Sequence, residues 1–572
     1  MIRPSLLLGA LLPLLAGALP AQEPAQPPAT TDSGDPPARV ARISYLAGDV
    51  SFQGSGDTAW SQATLNYPMT VGDRLYADRG ARAELQVGAL AVRLDGGSDL
   101  TVTDLSAQLV QLGLTVGTAR ISVYRLDDGD SVEVDTPRGV IALLAVGDYR
   151  IDAPVDDSAM VVTVERGQLE WTAGGVAQLV DAGQAVRITG VNPIQVASAA
   201  PAAPDAFADW CAARDHRVVK SASAQYVSKD IPGYEDLDEA GTWQQEAAYG
   251  PVWYPTVAAG WVPYRYGRWV WIEPWGWSWV ESEPWGYAPF HYGRWVQVGP
   301  RWGWVPGPVV VRTYYSPALV VFVSGSSWGA QAWFPLGPGE PYHPWFHHGA
   351  RYERHVNVNV TNVYVTNVNT FNYRNRRLAT TAVPTRVFQA GEPVERRVMR
   401  VNPDRFARAP IEPHPLVQPT AAAAAGGRRV APPPAPRRPD FFTVRPPTAP
   451  RPALPAGQPL VVPRAEPPRA APTLITRRPP PSQDPPFSQR QRAMKPDAGR
   501  PLEPQQIDNL RKGQPAGPRR DSEFPPHPAP AAKPAPRPAP AAQPAAKPAP
   551  RQAPTPKPKP DAKGEGRRGP GN

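Results

Sequence analysis

The sequence predicts a mainly β protein, and three observations support this fold class. Short stretches with an apolar residue at every second position run from residue 38 to 190, between turns rich in Gly and Asp. Between Trp243 and Trp345 lie 15 of the 18 tryptophans, among short strands and Pro/Gly turns. Beyond residue 400, 46 prolines in 172 residues oppose a packed core. We therefore expect an antiparallel β domain, a Trp-rich β-hairpin domain and a long disordered Pro-rich tail.

The first 21 residues have the layout of a secretory signal peptide. Arg3 precedes an apolar run from Leu6 to Leu19, and Ala21 suits a cleavage site. No cysteine stands there to carry a lipid, and no later run reaches the roughly 20 apolar residues that span a bilayer. We expect an exported protein, periplasmic or secreted, with a flexible leader at residues 22–37 and no transmembrane segment after signal cleavage.

The first β domain is predicted at residues 38–190. Stretches such as ARAELQVG, AVRLDG, SVEVDTP and QAVRITG alternate apolar and polar side chains. A linker at 191–240 follows, in which Asp205 suits the N-cap of a short helix carrying Phe207 and Cys211. Because Cys211 is the single cysteine, it forms no internal disulfide, and we expect it to be buried and structural.

The net charge of +9 divides unevenly along the chain. Residues 401–572 contain 29 Lys and Arg against 12 Asp and Glu, a charge of +17, so residues 1–400 carry −8. A basic tail on an exported protein meets anionic envelope material before it meets nucleic acid. We therefore expect the tail to associate with an anionic envelope polymer, and we expect no nucleic-acid partner.

The Trp-rich domain, predicted at 241–400, contains the word GRWV twice, at Gly267 and Gly293. RWVWIE-PWG-WSWV and RWVQV-GPRWG-WVP each predict a hairpin, and aligning their words gives the second turn one additional residue. We expect Trp269, Trp271, Trp277 and Trp279 to be mostly buried, and a minority of tryptophans to be exposed. Residues 355–375 alternate Val and Asn, which predicts a further strand.

Two parts of the chain resemble known families. The first β domain resembles the FecR domain. The segments that carry this resemblance are AGDV (47–50), VGDRLYADRGARAELQVG (71–88), VRLDGGSDLTVTDL (92–105), VEVDTPRGVIALLAVGDYRID (132–152) and AGQAV (182–186). That family is a β-rich extracytoplasmic module, named for a regulator that relays ferric-siderophore transport signals across the inner membrane. Its relaying members carry an anti-sigma segment and a membrane helix ahead of the domain. This chain has a signal peptide there, so the resemblance implies the module alone.

The region from 241 to 400 resembles a Trp-rich domain of unknown function that follows FecR domains in exported bacterial proteins. The segments GYEDLDEAGTW, GRWVWIEPWGWSWVESEPWGYAPFHYGRW, WFPLGPGEPY and VPTRVFQAGEPV carry this resemblance. It implies a shared architecture and supplies no activity, ligand or catalytic residue.

Two sets of residues are candidates for chemistry. Glu273, Glu281 and Glu283 lie among aromatic residues, as the paired carboxylates of glycosidases do, but they are more typical of exposed turn acids that pair with Arg268, Arg294 or Arg301. His343, His347, His348 and His355 approach metal-ligand spacing, but in Pro/Gly-interrupted sequence without a nearby cysteine. No recognised hydrolase or nucleotide motif accompanies either set, so we expect no enzyme activity, no cofactor and no metal site.

We therefore expect an exported, non-catalytic binding or scaffold protein of the cell envelope. Its partner would be an envelope polysaccharide, peptidoglycan or another envelope protein. The candidate ligand-binding residues, where indole faces lie beside guanidinium groups, are Trp275, Trp285, Trp302, Arg268 and Arg294. The alternatives are a carbohydrate-active enzyme that uses the three glutamates, and an extracytoplasmic regulator that relays a signal through an inner-membrane partner.

Overall fold

The structure is a computed structural model that describes residues 34–156, 158–190, 193–309, 312–325, 329–358, 372–400, 402–444, 459–462, 473–478 and 482–517. The predicted signal peptide lies outside the described residues, as do most of the leader and most of the Val/Asn-alternating stretch. So does the end of the predicted tail, residues 518–572. Among the described helices, none is long and apolar enough to cross a membrane.

The first domain consists of 17 strands, of which 16 lie within residues 38–190 and the last lies in the segment predicted as a linker. They are β1 (Ala41–Ala47), β2 (Val50–Gln53), β3 (Ser61–Gln62), β4 (Pro68–Met69), β5 (Arg74–Ala77), β6 (Arg82–Val87), β7 (Leu90–Leu94), β8 (Ser98–Leu105), β9 (Leu109–Val123), β10 (Ser131–Thr136), β11 (Gly139–Leu143), β12 (Gly147–Ala153), β13 (Met160–Arg166), β14 (Gln168–Ala173), β15 (Val176–Asp181), β16 (Gln184–Thr189) and β17 (Ile194–Ala199).

The strands form two sheets that share β9. The first half of β9 pairs with β8 and β10, and its second half pairs with β7 and β12. Gly117 lies between the halves with φ +99°, and a Cβ there would come within 2.3 Å of Ser98. A glycine is therefore required where β9 leaves one sheet for the other. β9 and β10 pair in parallel, and every other strand pair among β1–β17 is antiparallel, so the predicted fold class is confirmed.

The linker forms helix α1 (Ala206–Lys220), close to its predicted position. The Asp205 side chain accepts a hydrogen bond from the backbone N–H of Ala208, as an N-cap does. Phe207 and Cys211 are buried, which confirms the predicted burial of the thiol. Arg214 of the helix forms an ion pair with the buried Glu84 of β6, so α1 is fixed to the sheet by charge as well as by apolar contact.

Thirteen further strands and nine α-helices follow α1 in the described part of the chain, and the last three of these strands are given with the C-terminal segment below. The strands are β18 (Gly241–Glu246), β19 (Gly250–Pro255), β20 (Gly267–Ile272), β21 (Gly276–Glu281), β22 (Arg294–Val298), β23 (Arg301–Val305), β24 (Val320–Val323), β25 (Ala330–Pro335), β26 (Thr381–Pro384) and β27 (Ile411–Glu412). The helices are α2 (Leu237–Ala240), α3 (Ala288–His291), α4 (Ala350–Val356), α5 (Arg376–Ala379), α6 (Thr385–Ala390), α7 (Pro403–Arg408), α8 (Ala421–Ala424), α9 (Phe487–Ala493) and α10 (Pro504–Arg511).

Both GRWV words begin the predicted hairpins, β20–β21 and β22–β23. Trp269 pairs with Trp279 in the first, and Trp295 pairs with Trp304 in the second. Three residues connect the first pair of strands and two connect the second, so the second hairpin is one residue shorter. The expected additional residue was therefore wrong: Trp304 corresponds to Trp279 and not to Trp277. In both hairpins a pair of tryptophans lies directly opposite across the two strands, and this strand register decides how the two hairpins are aligned.

The hairpins belong to different sheets. The second joins β18–β19 through the pair Trp253 and Trp304, whereas β20–β21 is a sheet of two strands. A third sheet has the order β26-β25-β24-β27. Thirteen of the fourteen described tryptophans between 243 and 345 are buried, and Trp243 is half-buried. The predicted burial of Trp269, Trp271, Trp277 and Trp279 is confirmed, and the rings form a core.

The C-terminal strap, our name for the described residues 402–444, 459–462, 473–478 and 482–517, packs on both domains. Its strands are β27, β28 (Asp440–Thr443), β29 (Leu460–Val462) and β30 (Thr473–Thr476); β29 pairs with β17, and β30 pairs with β10. Leu474 and Met494 are buried at 0% and 1% exposure. Packed structure thus exists where the sequence predicts an unpacked tail. The reason is that apolar residues between the prolines pack against the cores of the two domains.

The two β domains also contact each other directly through a buried arginine. Arg42 of β1 donates to Asn66 Oδ1 at 2.8 Å and to the carbonyl oxygen of Pro284 at 3.0 Å, and it forms an ion pair with Asp236 at 2.7 Å. Asn66 in turn donates to the carbonyl oxygen of Glu283 at 2.8 Å. Since breaking a buried charge network is costly, these contacts hold the domains in one arrangement.

Candidate functional site

A cleft of about 380 Å³ lies where the first domain, the first Trp hairpin and the strap converge. The first domain lines it with the turn around Gly72 and with Thr101, Val102 and Thr103 of β8. The turn between β20 and β21 adds Glu273 and Pro274. The strap completes the cleft with Arg438, Phe441, Asp484, Leu502, Ile507, Asp508 and Arg511, among others. The cleft therefore exists only when all three parts are in place.

Two threonines on β8 provide hydroxyl groups to the wall of the cleft. Thr101 and Thr103 both approach Gly113 of β9, since a Cβ added there would lie 3.8 Å from Thr101 Cβ and 3.4 Å from Thr103 Oγ1. Both hydroxyl oxygens are buried, and neither has a hydrogen-bond partner among the residues that the structure describes. A buried hydroxyl without a partner costs about 1–3 kcal/mol. A polar ligand that reached either hydroxyl would recover part of that cost.

The strap side of the cleft carries charged groups that are held in place by one another. Arg511 donates to Asp484 Oδ1 at 2.8 Å and to Asp508 Oδ1 at 2.9 Å. Arg438 donates to the carbonyl oxygen of Gly72 at 2.8 Å, across the junction with the first domain. These contacts order both donors and acceptors around the cleft.

Glu273 is the one predicted carboxylate that lines the cleft. Its Oε1 accepts a hydrogen bond from the Trp271 indole N–H at 3.0 Å and lies 3.5 Å from Nη1 of Arg490 in the strap. Burial raises the pKa of Glu273, and the Arg490 charge opposes that rise. The sequence suggested pairing with Arg268, Arg294 or Arg301; the structure pairs Glu273 with Arg490, which the sequence placed in the tail.

Glu281 and Glu283 lie away from the cleft. Glu281 is buried, and its carboxylate accepts from the Trp279 indole N–H at 2.9 Å and from the Ser282 backbone N–H at 3.1 Å. Burial raises the pKa of Glu281 well above its usual range. Glu283 is half-buried. The three glutamates are thus not gathered at one site, because neighbouring indole N–H groups hold two of them separately.

The predicted ligand-binding residues are largely part of the core. Trp275, Trp285 and Trp302 are buried, and Arg294 is buried and donates to the carbonyl oxygen of Glu340 at 3.1 Å. Arg268 is half-buried and donates to Thr64 Oγ1 at 3.0 Å and to the carbonyl oxygen of Gly426 in the strap. Their ring faces and guanidinium groups contact other protein groups, and this burial argues against the predicted stacking surface.

The histidines that approached metal-ligand spacing do not converge. His347 lies 2.7 Å from Glu503 of the strap, and His355 stacks on Tyr314 at a ring-centroid distance of 4.1 Å. His348 contacts the carbonyl oxygen of Phe346. Within the described ranges, no group of three or more His, Cys, Asp or Glu side chains is arranged to hold a metal ion. Burial raises the pKa of the Cys211 thiol to about 12, which opposes its ionisation to the nucleophilic thiolate.

Comparison with known proteins adds a family for the central region. Residues 234–340 match a family of unknown function, DUF6600, and the match lies largely within the predicted Trp-rich domain. No curated protein matches the chain. The match does not extend to residues 38–190, whose resemblance to the FecR domain stays a prediction.

Two crystal structures of a candidate anti-sigma factor from Parabacteroides distasonis are similar to part of the chain, with 15% and 16% identical residues. Each similarity covers 22% of this chain and 59% of that protein, so the chain spans about three fifths of its length. The TM-score is 0.21 in both cases, which does not establish a shared fold.

Proposed function

We propose that this protein is a non-catalytic binding protein of the cell envelope, which holds a segment of a carbohydrate polymer in the cleft. The cleft itself carries the proposal. It combines unpartnered hydroxyls at Thr101 and Thr103, ordered charges at Arg511 and Asp508, and the ring of Phe441. A sugar ring offers hydroxyls that donate and accept hydrogen bonds, together with C–H faces that pack on apolar side chains.

The arrangement of the acids supports binding over hydrolysis. Retaining and inverting glycosidases place two carboxyl groups on either side of the scissile bond. In the cleft, Glu273 is engaged by Trp271 and Arg490, and Asp484 and Asp508 both accept from Arg511. Acids that are neutralised by fixed arginines are suited to orienting hydroxyl groups.

Contacts within the chain reduce the number of strap arginines that can bind an anionic polymer. Several of its arginines form ion pairs with acids elsewhere in the body, as Arg477 does with Glu170 and Arg490 does with Glu273. Those charges are satisfied within the chain. Residues 518–572 contain 11 Lys and Arg against four Asp and Glu. We therefore assign the proposed charge contact with the polymer to these last residues, and the specific contact to the cleft.

Co-sedimentation of the full chain with insoluble peptidoglycan, and with insoluble polysaccharides, tests the proposal. The double variant Thr101→Val/Thr103→Val removes both hydroxyls and keeps the side-chain shape. We expect it to sediment at least about threefold less well at a salt concentration that screens the tail contacts. Thr163→Val is the matched control, since Thr163 is also buried without a described hydroxyl partner but does not line the cleft.

Two results would overturn the proposal. Equal sedimentation of the double variant and the control would show that the cleft does not bind the polymer. Release of soluble reducing sugars during incubation, at a rate proportional to the protein concentration, would favour the alternative that the protein is a carbohydrate-active enzyme.

A further inference from the structure

A second cavity, of about 370 Å³, lies in the Trp-rich domain and shares no lining residue with the cleft. It is bounded by His291 at the end of α3, by Arg312 and Tyr314 in the segment between β23 and β24, and by His355 and Val356 of α4. Its chemistry can therefore be considered independently of the proposed polymer site.

His291 presents a hydrogen-bond acceptor within this region. The side chain is fully buried, and its Nδ1 lies 2.8 Å from the carbonyl oxygen of Ser316. Since a carbonyl oxygen only accepts, Nδ1 carries the hydrogen and Nε2 carries the lone pair. Nε2 is buried and has no partner among the described residues. Burial also lowers the pKa of His291 to about 3, so the ring stays neutral and Nε2 remains an acceptor at neutral pH.

Arg312 presents the complementary donor. One end of its guanidinium is occupied, since Nη2 donates to Asp130 Oδ1 at 2.8 Å. Its Nη1 is buried, and within the described part of the chain it has no hydrogen-bond partner. The residues that line this cavity therefore include one buried donor and one buried acceptor, each fixed by another contact and each without a partner among the described residues.

The remaining walls are aromatic and apolar. The rings of Tyr314 and His355 stack at 4.1 Å and lie 23° from parallel, which gives one wall a flat aromatic face. Ile231, Leu319 and Val356 supply aliphatic side chains. A ligand that fits must combine an N–H or O–H donor, an oxygen acceptor and apolar surface.

We propose that this cavity binds an N-acetylated amino sugar through its acetamido group. The acetamido N–H would donate to Nε2 of His291, its carbonyl oxygen would accept from Nη1 of Arg312, and its methyl group would contact the aliphatic wall. The flat C–H face of the sugar would pack on the Tyr314 and His355 rings. A simple hexose lacks the amide donor and the methyl group, so the site discriminates against it.

Ligand-observed saturation-transfer NMR on the full chain tests this site, with N-acetylglucosamine as the probe and glucose and glucosamine as controls. We expect the strongest transfer on the acetamido methyl protons and at least about tenfold weaker binding of glucose. His291→Asn keeps a donor for the Ser316 carbonyl and removes the Nε2 acceptor. We expect it to weaken binding about tenfold, whereas His291→Gln, which places an amide oxygen near the Nε2 position, should retain most of the affinity.

Arg312→Lys is the second variant, since it keeps a charge for Asp130 and loses the second guanidinium nitrogen. It decides the matter if His291→Asn fails to fold, as a thermal melt would show. Equal binding of glucose and N-acetylglucosamine would overturn the proposal, as would unchanged affinity in both His291→Asn and Arg312→Lys. The Thr101→Val/Thr103→Val variant should keep its affinity for N-acetylglucosamine, so a failure of the cleft proposal and a failure of this one are distinguishable.

Discussion

Leu474→Ala is the substitution that best tests whether the strap is part of the core. Leu474 lies on β30, at 0% exposure, and its Cδ1 would be 2.6 Å from a Cβ added to Gly113 of β9. The leucine therefore fills the space above a residue that has no side chain, and truncation opens a gap over Gly113. We expect a loss in the upper part of the usual range for Leu→Ala, about 3–5 kcal/mol of unfolding free energy.

Urea unfolding followed by tryptophan fluorescence measures this loss, and β29, the preceding strand of the strap, supplies the control. Val461 of β29 is 52% exposed, so Val461→Ala should cost under about 0.5 kcal/mol. Adding Gly113→Ala to Leu474→Ala should restore about 1 kcal/mol, because the new methyl group partly fills the gap, whereas Gly113→Ala alone should destabilise. If Leu474→Ala were as harmless as Val461→Ala, the strap would not be packed on β9.

Three further predictions concern the core, the tail and pH. Trp269→Ala should cost about 3–5 kcal/mol in urea unfolding, since the ring contacts Trp279, Phe322, Trp333 and Phe388 at centroid distances of 5.3–5.4 Å; the half-buried Trp210 should cost less. A chain that ends at Gly517 should keep the melting temperature of the full chain, whereas one that ends at Arg400 should lose its cooperative melt; equal melts would contradict this. Burial raises the pKa of Asp135 to about 8 from 3.8, and nearby Glu133 adds to the rise while Arg477 opposes it. The folded state thus keeps a proton that the unfolded state releases, so unfolding free energy should fall as pH rises from about 4 to 8, and Asp135→Asn should reduce that slope.

Local patterns were sufficient to predict the strands and the helix cap. The stretch ARAELQVG alternates apolar and polar residues and contains β6, and Asp205 caps α1 where an acid precedes a helical pattern. In each case the signal lies within a few residues of the structure that it specifies. The hairpin register could not be predicted from the repeat, since the turn lengths differ and only the pairing of Trp295 with Trp304 decides the alignment.

The strap could not be predicted because composition reports what a segment can bury by itself. Between its prolines lie short apolar groups such as TLIT, which is β30. Four residues cannot form a core by themselves, but they can complete one, and no local feature of the sequence indicates that Leu474 packs over Gly113 of β9. The cleft could not be predicted for the same reason. Thr101 and Thr103 are typical of strand residues, and they line a cleft only because the strap packs beside them.

The burial of most candidate ligand residues could not be predicted for a related reason. An aromatic residue next to an arginine is equally compatible with a surface and with a core, and the choice depends on which distant segments cover it. Trp277 donates its indole N–H to the carbonyl oxygen of Val417 in the strap, at 3.0 Å. A ring whose polar atom is satisfied by a residue 140 positions away gives no local sign of its burial.

The strap also sets the order in which the molecule can mature. Arg490 donates to the carbonyl oxygen of Ser55 across 435 positions, and Arg438 reaches Gly72 across 366. A polypeptide emerges from the ribosome with its N-terminus first, so the partners of Ser55 and Gly72 are synthesised last. Until then the edge of β17 lacks β29, the strand that covers it, and an uncovered edge pairs readily with other chains. Chains that lack the strap should therefore aggregate more readily than the full chain.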